Sequence, residues 1–336
     1  WSLTAPMKQP RWSLDAIALD NGRILFAGGS SGFTPDGSLA SAEVFDPTQN
    51  SFQPTENDLS GARHSSGLSR LADGRILITG GCRLGNNLSG VGETAVDIYD
   101  PQTNRFTTAA SMNLGRTLHG QVTLRDGRVL VVGGAQKDAE IYDPAANQWK
   151  SSVGQLPTTL KDMKLFELHD GRILIAGGQN TVDGLTTDNV WYFSTETTEF
   201  SPGPSMQGFN YSPEGVQVGV SDYSAFDLFP YPHALCGRYI LFAGGENDPP
   251  TGPDVELHSS SVFDAISDRW IDLGPMAFIH DDHTESVLQI SASGQPQVLL
   301  FGGNSTMGSS RFELYPTALG LDGNDKTEVT EPAKGE

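Results

Sequence analysis

Long apolar stretches are missing from this 336-residue chain: no run reaches 18 residues, so a membrane-spanning helix is not an expected element. Lysine is scarce too, with seven Lys and 14 Arg set against 41 acidic residues for a net charge of −20. A surface of that sign repels polyanions, so neither nucleic acid nor insertion at an anionic membrane is expected. Two cysteines, Cys82 and Cys236, are too few for a disulfide framework. Turn formers, by contrast, are plentiful: 39 Gly and 20 Pro accompany 37% hydrophobic and 18% charged residues, which describes a water-soluble, mostly β protein.

The glycines are ordered. Six Gly-Gly pairs follow short apolar runs, at Gly28-Gly29, Gly80-Gly81, Gly133-Gly134, Gly177-Gly178, Gly244-Gly245 and Gly302-Gly303, spaced by 52, 53, 44, 67 and 58 residues. Before the first four stands one hairpin signature: Asn21-Gly22-Arg23, Asp73-Gly74-Arg75, Asp126-Gly127-Arg128 and Asp170-Gly171-Arg172. Asn-Gly and Asp-Gly accept the positive φ of a tight turn, which predicts two antiparallel strands per repeat at that point. A third strand follows a variable loop, ending in an aromatic (Phe45, Tyr99, Tyr142, Phe193, Phe263), and a second aromatic comes seven residues later (Phe52, Phe106, Trp149, Phe200, Trp270). Rings so placed are expected in the core.

Gly pair, aromatic and second aromatic at a fixed distance resemble the kelch repeat, whose period is about 50 residues. The resemblance covers nearly the whole chain and implies an all-β, six-bladed β-propeller over residues 1–316, followed by a polar, acidic tail at 317–336. The sixth repeat has no second aromatic, whereas Trp1 precedes Met7 by six residues as Phe106 precedes Met112. The N-terminal strand is therefore expected to close the last blade, removing an open sheet edge. Because Trp1 already holds a repeat position, a removed leader fits upstream, and a secreted or periplasmic, monomeric protein is expected.

In a four-stranded blade, one end carries the short turns; the other carries the long loops at 30–42, 82–93, 179–188 and 246–259 together with the connections between blades. Counted from the Met or Leu closing each blade, those connections place Arg11, Arg63, Arg116, Leu160, Asn210 and His280 at one position. Three residues further stand Leu14, Ser66, His119, Met163, Pro213 and His283, and between the two positions fall Trp12, His64, Lys161, Asp162, Tyr211, Asp281 and Asp282. The reading is of an Arg- and His-lined funnel, with Arg11, Trp12, Arg63, His64, Arg116, Lys161, Asp162, Tyr211, Glu214 and His280 as ligand-binding candidates. An Arg fork holds carboxylate or sulfate in bidentate fashion. Kelch proteins also use Arg here to bond neighbouring backbone carbonyls, so the resemblance offers a structural role beside the functional one. An insertion near residues 209–228, with Tyr211, Glu214, Tyr223, Phe226 and Phe229, suits a lid or stacking wall.

Two functions fit. The first is an extracellular binding module for a carbohydrate, a peptide or an anionic ligand. The second is a lyase or epimerase/isomerase acting on an acidic sugar, in which His119, His283 or Tyr211 moves a proton and a divalent metal sits on His280, Asp282 and His283. Sialic-acid epimerases resemble the chain in their kelch repeats, but no motif carries their catalytic residues over. Cys82 and Cys236 fall at opposite ends of such a fold, so both are expected as free thiols.

Overall fold

The computed structural model describes residues 5–32, 37–83, 92–151, 153–206, 224–227, 236–247, 255–256, 259–275, 283–290, 296–302 and 312–315. Among them there is no helix; the strands make five four-stranded antiparallel sheets, one three-stranded sheet and two short two-stranded ribbons. The first sheet runs Asp15–Ala18, Ile24–Ala27, Ala42–Asp46 and Ser51–Pro54, neighbours in chain order being neighbours in space. The pattern recurs at 67–108, 119–150, 164–202 and 224–275, and the three-stranded sheet at 283–315 follows the same order.

The first strands of successive sheets lie side by side. Asp15–Ala18 adjoins Gly67–Arg70, which adjoins His119–Thr123; Lys164–Glu167, Ser224–Asp227 and His283–Ile290 follow in turn. Sheets stacked face to face about their first strands are the blades of a propeller, as the repeat predicts. The closing strand at Trp1 and the tail at 317–336 lie outside the described residues.

Because the inner blades are covered on both faces, their second strands are apolar without alternation. Ile76–Thr79, Val129–Gly133, Ile173–Ala176 and Tyr239–Ala243 are buried throughout, while the outer strand Ser51–Pro54 is half-buried to exposed. The core is a series of layers between neighbouring sheets, such as Leu25, Val44, Ile76, Ile78 and Tyr99 between the first two. The aromatic pairs seven residues apart sit directly opposite each other across the outer hairpin: Tyr99 faces Phe106 with ring centroids 5.1 Å apart, and Tyr142 faces Trp149 at 5.0 Å.

The Gly pairs join one sheet to the next. Gly80 and Gly81 take φ of 58° and 95°, and a Cβ on Gly80 would stand 2.4 Å from the Arg116 carbonyl oxygen. That close approach lets the Gly81 amide donate to the same oxygen at 2.8 Å, as Gly29 does to Arg63 and Gly134 to Leu160. Side chains at these positions would force the sheets apart.

Candidate functional site

The connections leading into the first three sheets behave alike. Arg11 donates to the carbonyls of Gly28 and Ser41, both at 2.7 Å, and to Glu43 at 2.9 Å. Arg63 meets Asp97 at 2.6 Å, and Arg116 donates to the Gly133 carbonyl at 2.6 Å while pairing with Glu140 at 3.3 Å. Each carboxylate also accepts amides from the approaching chain: Lys8 and Gln9 on Glu43, Ser60 on Asp97, Asn113 and Leu114 on Glu140. The three arginines are 8%, 1% and 0% exposed, so their place in an open funnel is corrected here. They tie each incoming connection to the third strand of its own sheet through the terminal guanidinium nitrogens, while Nε of Arg11 and of Arg63 is buried without a hydrogen-bond partner.

A signal for this role lies in the sequence. Glu43, Asp97 and Glu140 hold one register position in their third strands, opposite Phe26, Ile78 and Val131. In the fourth sheet that position is Trp191, opposite Ile175, and the arginine position is Leu160, so cation and anion are replaced together by an apolar pair in one core layer. Arginines meant for a ligand would not vary in step with a carboxylate two strands away.

Two residues beyond each arginine position, the backbone turns left-handed at Ser13, Ser65, Leu118 and Asp162, with φ of 47°, 55°, 53° and 58°. The amides hand over from blade to blade: Ser65 N donates to Ser13 O at 3.5 Å, Leu118 N to Ser65 O at 3.1 Å, and Asp162 N to Leu118 O at 2.8 Å. This collar of linked main chain carries the side chains around it. Trp12 stays 36% exposed, with the His64 ring 6.0 Å away and tilted by 34°. The Ser13 and Ser65 hydroxyls are 3.0 Å apart, and Ser65 Oγ also reaches His64 Nδ1 at 3.0 Å. Lys161 lies in a short ribbon, Leu160–Lys161 against Gln179–Asn180, its ammonium 3.5 Å from the Asp162 carboxylate.

Sequence reasoning did not foresee the pairing of Cys82 with His64, the sulfur lying 3.5 Å from His64 Nε2. Burial pushes the Cys82 thiol up and the His64 imidazole down, so the pair is neutral rather than a thiolate with an imidazolium. Both cysteines are free thiols.

His119, expected to move a proton, is buried between the second and third sheets. Thr79 donates to Gln121, which leaves the Thr79 oxygen to accept from His119 Nε2 at 2.8 Å, and Nδ1 has no hydrogen-bond partner. Burial first, and the Arg116 charge second, hold its pKa at about 3, so it is neutral near pH 7 and offers no acidic proton there. Tyr211, Glu214, His280 and Asp282 lie outside the described residues; His283 opens the strand His283–Ile290, but its side chain is outside them as well. The metal reading of His280, Asp282 and His283 thus concerns residues not described, and among the described residues no three His, Cys, Asp or Glu side chains gather as a metal site.

The kelch motif family model matches residues 166–207. Kelch-like protein 15 of Homo sapiens is 29% identical over 106 residues, covering 29% of this chain and 17% of that protein. Kelch-like protein 7 of Rattus norvegicus is 30% identical over 131 residues, 38% of this chain and 22% of the relative. The chain thus carries a kelch motif and is similar to kelch-repeat proteins. Galactose oxidase of Gibberella zeae is also similar to it, 22% identical over 52% of the kelch-repeat chain and 24% of the enzyme. The chain thus spans under a quarter of the length of these relatives. Among solved structures, the kelch-repeat fold superposes on that of YjhT with a TM-score of 0.64 at 16% identity, covering 93% of this chain and 97% of the other. A fungal alcohol oxidase of the AA5 family, in complex with copper, matches with a TM-score of 0.67 at 16% identity, over 95% and 66% of the two chains. At such identities the likeness is one of fold.

Proposed function

We propose that this kelch propeller binds a neutral carbohydrate on its loop face, with Trp12 as the stacking platform. The supporting observation is the exposed Trp12 ring beside His64, bordered by the Ser13 and Ser65 hydroxyls at the collar. An indole face packs against the C–H face of a pyranose, and nearby hydroxyls exchange hydrogen bonds with its substituents. A carboxylate or sulfate ligand has less to hold it: Arg11, Arg63 and Arg116 are consumed inside the blades, and Lys161 already faces Asp162. The test is a glycan array followed by calorimetric titration of the best ligand. Trp12→Ala should weaken binding about tenfold or more, the loss of roughly 1.4 kcal/mol of stacking, with an unchanged melting temperature. Unaltered affinity in that variant, or an array that responds only to sulfated and carboxylated glycans, would overturn the reading.

A further inference from the structure

The opposite end of the propeller carries the short hairpin turns. In the second, third and fourth hairpins, the Asp before Gly pairs with the Arg after it: Asp73 with Arg75 at 2.7 Å, Asp126 with Arg128 at 2.8 Å, and Asp170 with Arg172 at 2.7 Å. The first hairpin carries Asn21 instead. Its Oδ1 accepts the Arg23 amide at 3.1 Å, just as Asp73 Oδ1 accepts the Arg75 amide at 3.1 Å, so the turn itself is kept. What is lost is the anion. Asp20, next in the chain, is engaged by Arg70 of the second sheet, and among the described residues the Arg23 guanidinium has no ion-pair or hydrogen-bond partner.

Arg23 lines a cleft of about 580 Å³ between the first two sheets, together with Asp20, Asp73, Arg75, Asp100 and Gln102. Asp20 and Asp73 are neutralised by Arg70 and Arg75. Asp100 is not: among the described residues its oxygens accept only the Gln102 amide at 2.8 Å and the Thr103 hydroxyl at 3.0 Å of its own turn. Among the described residues the cleft therefore presents a cation and an anion that form no ion pair, the Arg23 charge acting also on the Asp46 carboxylate of its own sheet. Both charges act on the buried Tyr99 hydroxyl, with opposite signs.

We propose that this cleft binds a small zwitterion of the amino-acid type, with its carboxylate on Arg23 and its ammonium on Asp100. A guanidinium fork takes a carboxylate in bidentate fashion, and a carboxylate accepts an ammonium by charge-assisted hydrogen bonds. The long-range field favours a zwitterion over a plain anion, because a chain of net charge −20 repels the latter and is indifferent to a neutral molecule. The site shares no residue with the loop-face proposal.

The experiment is calorimetric titration of the full chain with triglycine at low salt. Saturable binding is expected, with acetate and ethylamine each weaker by about tenfold or more, since each engages one charge only. Asn21→Asp restores to Arg23 the partner its counterparts have; it should cut triglycine affinity by about tenfold while leaving the melting temperature equal or higher. Asp100→Asn should weaken triglycine as well. The proposal fails if triglycine gives no saturable heat up to about 20 mM, if acetate binds as well as triglycine, or if N21D binds as wild type. Trp12→Ala, on the other face, should bind triglycine normally, which keeps the fate of this site separate from that of the carbohydrate site.

Discussion

Replacing Arg116 by methionine would leave the Glu140 carboxylate, 0% exposed, with amide donors but no cation. Stranding one member of a buried pair is costly, and R116M is expected to lose about 3 kcal/mol, read as an earlier urea midpoint. The double variant R116L/E140L, which copies the apolar pairing of Leu160 with Trp191, should recover much of that loss, because no charge is left buried. A funnel arginine would behave otherwise: R116M would melt like wild type, and the double change would bring no rescue. Here the sequence was only half legible. Three arginines in register were plain, but register alone does not say whether a side chain points to the axis or into its own blade. The deciding partner sits two strands away, and only the joint change at Leu160 and Trp191 marks it. For Trp12 and His64 the position was legible, since both follow the arginine and emerge where the chain turns left-handed at Ser13 and Ser65. Cys82 was not, because its neighbour His64 comes from another connection.

At the level of elements, the blade pattern was readable because it is local. The Asp-Gly-Arg turn, the apolar strand after it and the aromatic pair seven residues apart all fall within one antiparallel sheet. The contacts between sheets carry no such periodic mark beyond the glycines, and these are unequal. Gly22 (φ 77°) has nothing within 4 Å of a would-be Cβ, whereas at Gly80 (φ 58°) that atom meets the Arg116 carbonyl at 2.4 Å. Gly22→Ala should therefore cost about 1 kcal/mol, the conformational term alone. Gly80→Ala should cost roughly twice that or more, because the second sheet must also release the connection to the third. Chemical denaturation of the two variants side by side checks the ordering; equal losses would mean that the close approach is easily relaxed.

For the whole molecule, His119 sets an acid limit. Its folded pKa, about 3, lies below the ordinary 6.5, so the unfolded chain binds the extra proton first. The stability tied to the neutral imidazole is complete above about pH 6.5 and is lost progressively as pH falls toward 3. His119→Gln does not titrate in this range. The difference in unfolding free energy between variant and wild type should move in favour of the variant by about 2–3 kcal/mol between pH 6.5 and 4.5. Parallel thermal melts across that interval measure it, and a constant difference would mean that His119 is reached by water in the folded protein.

The Gly-pair contacts also bear on how the chain is made. Gly29 takes its acceptor from Arg63, Gly81 from Arg116 and Gly134 from Leu160, so every one of these bonds points forward along the chain. On the ribosome, a blade whose four strands have already emerged still waits for the start of the following one. The newest blade is thus always the loosest, and the nascent protein trails one unlatched sheet until the next repeat leaves the exit tunnel. A pause in translation with Arg63, Arg116 or Leu160 still inside the tunnel would hold that sheet open to a neighbouring polysome product, whereas a pause after the same residue has emerged would find it shut.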